Sequence, residues 1–233
     1  TGTVTINVNP LPNASIVGDT SLCLNENQPI VTFQGANGVS PFTFTYSING
    51  GAPQTLISVS GQSTISVPTN APGDFTYELI SVQEGSVSMC TNQIGDDVMI
   101  RVWDLPNVTA GADYPICDGE STTLNGQGAV TYVWDNYVTN GVPFYPASTL
   151  SYTVEGTDIN GCKGRDTFNL TLNPFPSPVL RADTAICFGE SLTIGVDNIY
   201  SNYAWNPVGF LGNSIEVNLA GQYILEVMDN NGC

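Results

Sequence analysis

The segments ADYPICDGESTTL (112–124) and SYTVEGTDINGC (151–162) return further along the chain as RADTAICFGESLTI (181–194) and GQYILEVMDNNGC (221–233). They define a Cys-Trp-Tyr-Cys frame whose two copies are Cys117, Trp134, Tyr152 and Cys162, then Cys187, Trp205, Tyr223 and Cys233. The steps between these residues are 17, 18 and 10 in the first copy and 18, 18 and 10 in the second. Self-similarity at a fixed period is typical of repeat architectures, so the frame predicts an array of small domains.

A third, divergent copy lies near the start of the chain, where the frame positions hold Cys23, Tyr46, Tyr77 and Cys90. Its two cysteines are 67 residues apart, against 45 and 46 in the other copies. The sequence contains no His and no Cys-x-x-Cys pair, so six well-spaced cysteines indicate disulfides formed in an oxidising compartment. The frame predicts one disulfide within each domain, which gives the pairs Cys23–Cys90, Cys117–Cys162 and Cys187–Cys233.

Alternating segments that end in proline mark the borders between domains. They are TVTINVNPLP (3–12), DVMIRVWDLP (97–106) and DTFNLTLNPFP (166–176). Period-two alternation indicates a half-buried strand, and proline blocks its continuation. The predicted organisation is the last strand of a preceding domain (1–10), a long domain (11–105), a second domain (106–175) and a domain that lacks its last strand (176–233).

Each domain is predicted to be an Ig-like β-sandwich of about seven short strands, because turn signals separate short apolar runs. Trp134 and Trp205 are expected in the cores, and Phe44 with Tyr46 is expected to take that place in the long domain. The dipeptide Asn49-Gly50 predicts a type I′ hairpin turn. Short, proline-rich junctions favour extended connections. The predicted fold class is therefore all-β, with tandem sandwiches arranged as a rod.

The charge balance restricts the possible partners. The net charge is −17, with 21 acidic residues against four basic ones. Such a chain repels phosphate backbones and anionic membranes, so we expect no nucleic-acid partner. No apolar run approaches 18 residues, and we expect no membrane insertion. Without His, Ser-His and Cys-His mechanisms are excluded within the chain, and we expect no enzyme activity.

The segments quoted for the frame, together with PFTFTYSINGGAPQT (41–55) and APGDFTYELISVQEGSVSMC (71–90), resemble a known family. They are similar to the Ig-like or PKD-like repeats of very large surface proteins of Bacteroidetes, which include gliding-motility adhesins. The resemblance covers nearly the whole chain. It implies export by the type IX secretion route and a place on the bacterial cell surface or in an extracellular appendage.

Four aspartates are candidate metal ligands. Asp113 and Asp183 lie four residues before the first cysteine of their domains, and Asp158 and Asp229 lie four residues before the second. If each disulfide joins its flanking strands, the two carboxylates of a domain could hold Ca²⁺ as oxygen ligands. In the alternative interpretation, Asp113, Asp183 and the equivalent Asp19 cap turns through Asx hydrogen bonds, and DINGC and DNNGC are simple hairpin turns.

Two further surface features are candidate sites. Aromatic side chains in or near predicted loops could bind a glycan or a protein, or could pack between domains; they are Trp103, Tyr137, Phe144, Tyr145, Tyr200 and Phe210. Trp103 stands directly before a proline junction, so it is expected to pack against the next domain. The tripeptide Asp183-Thr184-Ala185 resembles the O-glycosylation signal of Bacteroidetes, which makes Thr184 a candidate glycosylation site.

These observations favour a structural stalk segment of a secreted surface adhesin or filament, with neighbouring repeats of the same protein as its partners. The alternative is an Ig-like module that binds surface glycans or proteins, with a possible dependence on Ca²⁺. The lone strand at the start and the incomplete last domain suggest a window from a longer protein. The other explanation is filament self-assembly, in which Val4 to Val8 completes the last domain of a neighbouring chain by strand addition.

Overall fold

The computed structural model describes residues 2–207 and 209–233, and every regular element in this part of the chain is a β-strand. The strands are β1 (Asn13–Val17), β2 (Thr20–Cys23), β3 (Ile30–Ala36), β4 (Thr43–Ile48), β5 (Gln54–Ile57), β6 (Gln62–Ser66), β7 (Gly73–Gln83), β8 (Thr91–Trp103), β9 (Tyr114–Cys117), β10 (Thr131–Trp134), β11 (Leu150–Thr157), β12 (Lys163–Asn173), β13 (Leu192–Gly195), β14 (Asn202–Asn206), β15 (Ser214–Val217) and β16 (Ile224–Met228). The all-β fold class predicted from the sequence is confirmed. Thr1, the first residue of the strand predicted over 1–10, lies outside the described residues.

The chain forms two compact units. Unit 1 comprises Thr1–Asn107 and Thr157–Gly164, and unit 2 comprises Val108–Gly156 and Arg165–Cys233. The hairpin turn that carries Cys162 therefore belongs to unit 1, although the predicted domain over 106–175 contains it. The division into three domains stays a prediction.

Unit 1 contains an Ig-like sandwich of two sheets. One sheet has the strand order β2-β8-β7-β4-β5, and the other has the order β1-β3-β6. The pairs are antiparallel except that β2 runs parallel to β8, with Thr20 opposite Ile100 and Cys23 opposite Trp103. The core between the sheets is aromatic at its centre, where the rings of the buried Phe33 and Phe44 lie 5.7 Å apart.

Local sequence signals act as predicted in this sandwich. Phe44 and Tyr46 of β4 are buried in its core. Asn49 and Gly50 have φ angles of 51° and 67° and join β4 to β5, which is the left-handed geometry that a type I′ turn requires. Residues 2–12, in contrast, are in no strand.

Unit 2 contains two smaller groups of strands. The first is a four-stranded sheet with the order β10-β11-β12-β9, in which β9 runs parallel to β12. Its core packs Trp134 and Tyr152 with Phe168 and Leu170 of β12. Outside this sheet, the described residues contribute isolated bridges such as Thr122 with Phe144.

The last part of unit 2 has two separate two-stranded sheets, β13-β15 and β14-β16. Its core cluster contains Trp205, Ile215 and Val217 as buried residues. Trp134 and Trp205 are thus core residues, as predicted. The expectation of about seven strands in each domain is wrong for the described part of unit 2, where four named strands lie in each group. Segments without named strands, such as 118–130 and 135–149, take the place of the other predicted strands.

The disulfides differ from the predicted pairs. Cys23 is bonded to Cys162, and Cys117 is bonded to Cys233, with Cα atoms 5.5 and 5.6 Å apart. Cys90 and Cys187 have free thiols. The predictions Cys23–Cys90, Cys117–Cys162 and Cys187–Cys233 are therefore wrong. Each observed bond joins the first cysteine of one sequence repeat to the second cysteine of the next repeat, and each lies within one unit.

The length of the last strand explains this correction in the first two repeats. Cys23 lies opposite Trp103 at the end of β8, whereas Cys90 directly precedes its start. Thirteen residues of strand at about 3.3 Å each separate the two cysteines by roughly 40 Å. In the next repeat, Cys117 lies opposite Asn173 at the end of β12, and Cys162 precedes its start. A disulfide requires Cα atoms within about 7 Å, so the two cysteines of one repeat cannot be joined.

Digestion with trypsin distinguishes the predicted disulfide pairs from the observed ones. Its expected cleavage sites follow Arg101, Lys163, Arg165 and Arg181, so each predicted pair would remain within a single peptide. We expect instead that peptides 1–101, 102–163 and 182–233 stay joined under non-reducing conditions and separate after reduction. Mass spectrometry of the two digests makes the measurement, and three unlinked non-reduced peptides would contradict the observed pairing.

Candidate functional site

The turn after the first cysteine has the same geometry in all three sequence repeats. In this first cysteine turn, a Glu three residues after the cysteine accepts a hydrogen bond from the cysteine backbone N–H through its Oε2 atom. The N–O distances are 3.1 Å for Cys23–Glu26, 3.0 Å for Cys117–Glu120 and 3.3 Å for Cys187–Glu190. The Glu backbone N–H in turn donates to the cysteine carbonyl at 3.1 Å in all three turns.

A left-handed residue closes each first cysteine turn. Asn25, Gly119 and Gly189 have φ angles of 65°, 79° and 88°. Only glycine adopts this region at no steric cost, and Asn is among the few residues that tolerate it. The backbone around Cys187 is therefore built like that around Cys23 and Cys117, although Cys187 carries no disulfide.

The turn that contains the second cysteine is also conserved within the chain. In this second cysteine turn, Asp158 Oδ1 accepts hydrogen bonds from the N–H groups of Asn160 and Cys162, both at 2.8 Å. Asp229 Oδ1 accepts from Asn231 at 2.8 Å and from Cys233 at 2.9 Å. Asp158 and Asp229 thus hold the turn that presents the cysteine, in agreement with the hairpin-turn interpretation of DINGC and DNNGC.

Cys90 lies in a longer version of the second cysteine turn. The backbone N–H of Glu84 donates to the Cys90 carbonyl at 3.1 Å, which matches the bond from Asp158 N–H to the Cys162 carbonyl. The buried carboxylate of Glu84 accepts from the Ser86 hydroxyl at 2.8 Å, the Ser88 hydroxyl at 3.2 Å and the Val39 N–H at 3.0 Å. These hydrogen bonds, that from Ser86 foremost, lower the pKa of Glu84.

The aspartate four residues before the first cysteine fixes the parallel strand edge. Asp19 Oδ1 accepts from the backbone N–H of Met99 in β8 at 2.7 Å, and Asp113 Oδ1 accepts from that of Asn169 in β12 at 2.7 Å. The Asn169 side-chain amide also donates to Asp113 at 2.9 Å. These aspartates bridge to the last strand; they do not form the local Asx caps that the alternative interpretation predicted for them. No described residue donates a hydrogen bond to Asp183.

The structure removes the main reason to expect a calcium site at the four predicted aspartates. The proposed disulfides that would bring Asp113 near Asp158 and Asp183 near Asp229 do not form. The carboxylates of Asp113, Asp158 and Asp229 each accept two or more hydrogen bonds from nearby groups. Among the described residues, no group of three or more Asp, Glu, Cys or His is placed to hold a metal ion. Calcium binding by these residues stays a prediction.

The aromatic residues considered as a binding surface fall into three sets. Phe144 packs edge-on against Tyr152 at 5.4 Å, and Tyr200 packs against Tyr203 at 5.9 Å, so both help to anchor loops. Trp103 is half-buried, and the Arg101 guanidinium lies 4.9 Å from its ring centre. The side chains of Tyr137, Tyr145 and Phe210 are exposed.

Other surface features complete the description. Thr184 is exposed, which leaves its hydroxyl accessible, and its glycosylation stays a prediction. A polar groove of about 360 Å³ borders the Cys187 turn and is lined by Gly189, Glu190, Glu216 and Asn218, among others. Within residues 2–207 and 209–233, no helix has the length and apolar character needed to cross a membrane.

The sequence and the structure were compared with known proteins. No family model matches the sequence, and no curated protein matches it either. The solved structures that resemble the chain are Ig-like and fibronectin-like domains, among them bacterial adhesins.

Three of these structures illustrate the level of similarity. A variant of three titin Ig domains has 12% identity and a TM-score of 0.45, with 94% of both chains covered. A Ca²⁺-stabilised adhesin that helps an Antarctic bacterium bind ice has 14% identity and a TM-score of 0.42, over 97% of this chain and 64% of that one. Fibronectin(III)-like modules of Clostridium thermocellum have 9% identity and a TM-score of 0.32, over 70% and 95%. At these sequence identities and TM-scores, the similarity supports no conclusion about function.

The hydrogen bonds to Asp113 predict an acid-sensitive contribution to stability. The Asn169 backbone N–H, followed by its side-chain amide, holds the pKa of Asp113 below its ordinary value of 3.8. A lowered folded-state pKa stabilises the fold above the unfolded-state pKa, and this stabilisation is lost as the pH falls through the folded-state pKa. We expect Asp113→Ala to lower the urea midpoint of unfolding at pH 7, and we expect the difference from the unmodified chain to shrink below about pH 4.

Asp183 offers a matched control for this measurement. It occupies the same position in the following repeat but accepts no hydrogen bond from a described residue, so Asp183→Ala should leave the urea midpoint unchanged at both pH values. Two results would contradict a role for Asp113 in the parallel strand pairing. One is that Asp113→Ala and Asp183→Ala have equal urea midpoints at pH 7. The other is that the difference in midpoint between Asp113→Ala and the unmodified chain grows as the pH falls.

Proposed function

We propose that this chain is a structural, non-catalytic segment of a secreted bacterial surface adhesin or filament. The observation that carries the proposal is the pair of overlapping disulfides, Cys23–Cys162 and Cys117–Cys233, each of which ties one sequence repeat to the next. A binding module needs covalent stability only within itself. Bonds that link successive repeats are suited to a protein that carries tension along its length.

The disulfides shorten the covalent path through the chain. From Thr1 the path runs 22 residues to Cys23, crosses to Cys162, runs 45 residues back to Cys117 and crosses to Cys233. A pulling force can therefore straighten only a fraction of the 233 residues before a covalent bond takes the load. Each bond also restricts the unfolded chain, which for loops of more than 100 residues stabilises the folded state by about 4–5 kcal/mol in the chain-entropy model.

Composition supports an extracellular location. Disulfides persist in oxidising environments outside the cytosol, and the net charge of −17 favours solubility and self-repulsion between neighbouring segments. The resemblance of the repeats to those of Bacteroidetes surface proteins supports the more specific proposal of a gliding-motility-type adhesin exported by the type IX route. In that setting, neighbouring repeats are the main partners, and the ligand-binding element lies elsewhere in the protein.

A second candidate function, binding of a glycan or a protein, is favoured by one observation. Tyr137 and the preceding Asn136 both have positive φ angles, 62° and 52°, and the Tyr137 side chain is fully exposed at the tip of their turn. A bulky residue rarely adopts this backbone region. Glycan-array binding that disappears in Tyr137→Ala would support this function.

Single-molecule pulling tests the mechanical proposal. With handles at both ends, the oxidised chain should extend to about 24 nm and the reduced chain to about 80 nm, at about 3.5 Å per residue. A Cys117→Ser/Cys233→Ser variant should extend to about 33 nm, since its path runs forward from Cys162. An oxidised chain that extends as far as the reduced one would contradict the proposal.

The same measurement with a chelator should give unchanged lengths and unfolding forces, whereas weaker unfolding forces would favour a Ca²⁺-dependent module.

A further inference from the structure

The strands on one side of the sandwich in unit 1 carry no charged residue. Residues 27–73 contain no Asp, Glu, Lys or Arg, although the chain has 21 acidic residues. This neutral stretch forms β3, β4, β5 and β6; of these, β5 ends the five-stranded sheet and β6 ends the three-stranded one. Charged side chains commonly protect exposed edge strands from pairing with other chains, so these two edges lack a common protection.

Alternate residues of β6 direct their backbone groups toward β3. Just beyond one end of the strand, the Val67 N–H donates to the Pro29 carbonyl at 2.9 Å. Just beyond the other end, the Gly61 carbonyl accepts from the Gly35 N–H, also at 2.9 Å. Successive residues of an antiparallel strand direct these groups to opposite sides. The odd-numbered residues of β6 therefore bond to β3, and the even-numbered residues direct their N–H and carbonyl groups to the open edge.

Two of the even-numbered residues present these outward groups at the edge. Gln62 does not, because its N–H and its carbonyl both bond to Val59, at 3.2 and 2.8 Å. Thr64 and Ser66 are exposed, and they lie between this bridge and Pro68, which has no N–H to donate. The open edge is thus a short unit that is bounded at both ends.

This bounded unit is complementary to a second copy of itself. When two β6 strands run antiparallel with Ile65 opposite its equivalent, Thr64 of each copy lies opposite Ser66 of the other. Both of these pairs then exchange two backbone hydrogen bonds. In the same register, Gln62 lies opposite Pro68 of the other copy. The ladder therefore ends without an unpaired donor, since the Gln62 N–H is bonded to Val59 and Pro68 has none.

The neighbouring edge at β5 is less regular than the edge at β6. β5 pairs with β4, and the register of β4 against β7 shifts between Thr45 and Tyr46. Such a bulge bends the strand and increases its twist, which hinders pairing along the edge. The β1-β3-β6 sheet keeps a continuous register in both of its strand pairs, so β6 offers the straighter edge.

The neutral stretch also favours a second copy over a sugar or a charged partner. Its four aromatic residues are all buried; they are Phe33, Phe42, Phe44 and Tyr46. A sugar finds no exposed ring there on which to stack, and a charged partner finds no opposite charge. Two copies of a chain with net charge −17 repel each other where their acidic parts meet, so they approach most easily along strands without charge.

We propose that two copies of this chain associate side by side through β6, which joins their three-stranded sheets into one sheet of order β1-β3-β6-β6-β3-β1. Strand addition to an open edge is a known mode of recognition, and a two-fold axis gives both copies the same contacts. The interface is small, so the association is weak and depends on concentration. This inference goes beyond the structural role proposed above. Its failure would leave that role standing, because the disulfides within each chain would remain.

The first test measures mass and backbone protection in the whole chain. Cys90 and Cys187 are alkylated beforehand, so that no disulfide can join two copies. The mass from sedimentation equilibrium should rise from 24.7 kDa toward twice that value between about 10 µM and about 1 mM chain. Amide hydrogen exchange at Thr64 and Ser66 should slow in proportion to the dimer fraction, because their N–H groups become bonded in the dimer.

Substitutions at Thr64 test the edge directly. Thr64→Pro removes an outward N–H but no bond to β3, so the chain should still fold while the dimer fraction falls at least tenfold. Thr64→Glu is a second variant that keeps every backbone group. It places a like charge on both copies beside the pairing strands and should also lower the dimer fraction at least tenfold.

Two control variants match these changes. The Ser58 N–H donates to the Phe42 carbonyl at 2.8 Å, so by the same alternation Thr55 faces the open edge of β5. Thr55→Pro should therefore leave the dimer fraction unchanged. Ser15 is exposed on β1, at the other end of the three-stranded sheet. Ser15→Glu adds the same charge as Thr64→Glu and should leave the dimer fraction unchanged.

Four results would overturn the inference. The first is a monomer at every concentration, including one whose amides at 64 and 66 are protected by an added neutral sugar such as cellohexaose. The second is a dimer in which these amides exchange as fast as in the monomer. The third is a dimer that forms equally well in Thr64→Pro and Thr64→Glu. The fourth is a dimer that is lost in Thr55→Pro or Ser15→Glu, since the contact would then be the β5 edge or the sheet face.

Discussion

The length of the last strand is the constraint on which the covalent organisation depends. β8 and β12 hold the two cysteines of a repeat at opposite ends of the sheet, far beyond the reach of a disulfide. Bonding within the first or the second repeat is therefore impossible, and the observed bonds pass from one repeat to the next. The length of the strand thereby directs the disulfides to cysteines of successive sequence repeats.

Short polar turns place the cysteines accurately at those ends. A glutamate holds the backbone of each first cysteine, and an aspartate holds that of Cys162 and Cys233. Asp19 and Asp113 fix the register of the parallel edge through a backbone N–H of the last strand. Most of the acidic residues in these turns are thus hydrogen-bond acceptors for the backbone, which gives many of the carboxylates of a chain with net charge −17 a structural role.

Much of the local structure was predictable from the sequence. The alternation of Val98, Ile100 and Val102 gives a buried face of β8, and Asn49-Gly50 gives a hairpin, because both signals act over a few residues. The number of strands was not predictable in unit 2, where isolated bridges such as that of Thr109 with Gln127 are found outside the named strands. Whether a short apolar run pairs as a strand depends on a distant neighbour, which β9 illustrates by its pairing with β12.

The sequence by itself determined the all-β fold class, the repeat frame, the core aromatics Trp134 and Trp205, and the six cysteines as the residues of interest. Only the tertiary structure decided which cysteines meet. Equal spacing along the chain is compatible with bonding within a repeat or between repeats, because spacing does not state where the strands end in space. The parallel register of Cys23 with Trp103 and of Cys117 with Asn173 settles that choice, since strand length becomes distance only in the folded sheet.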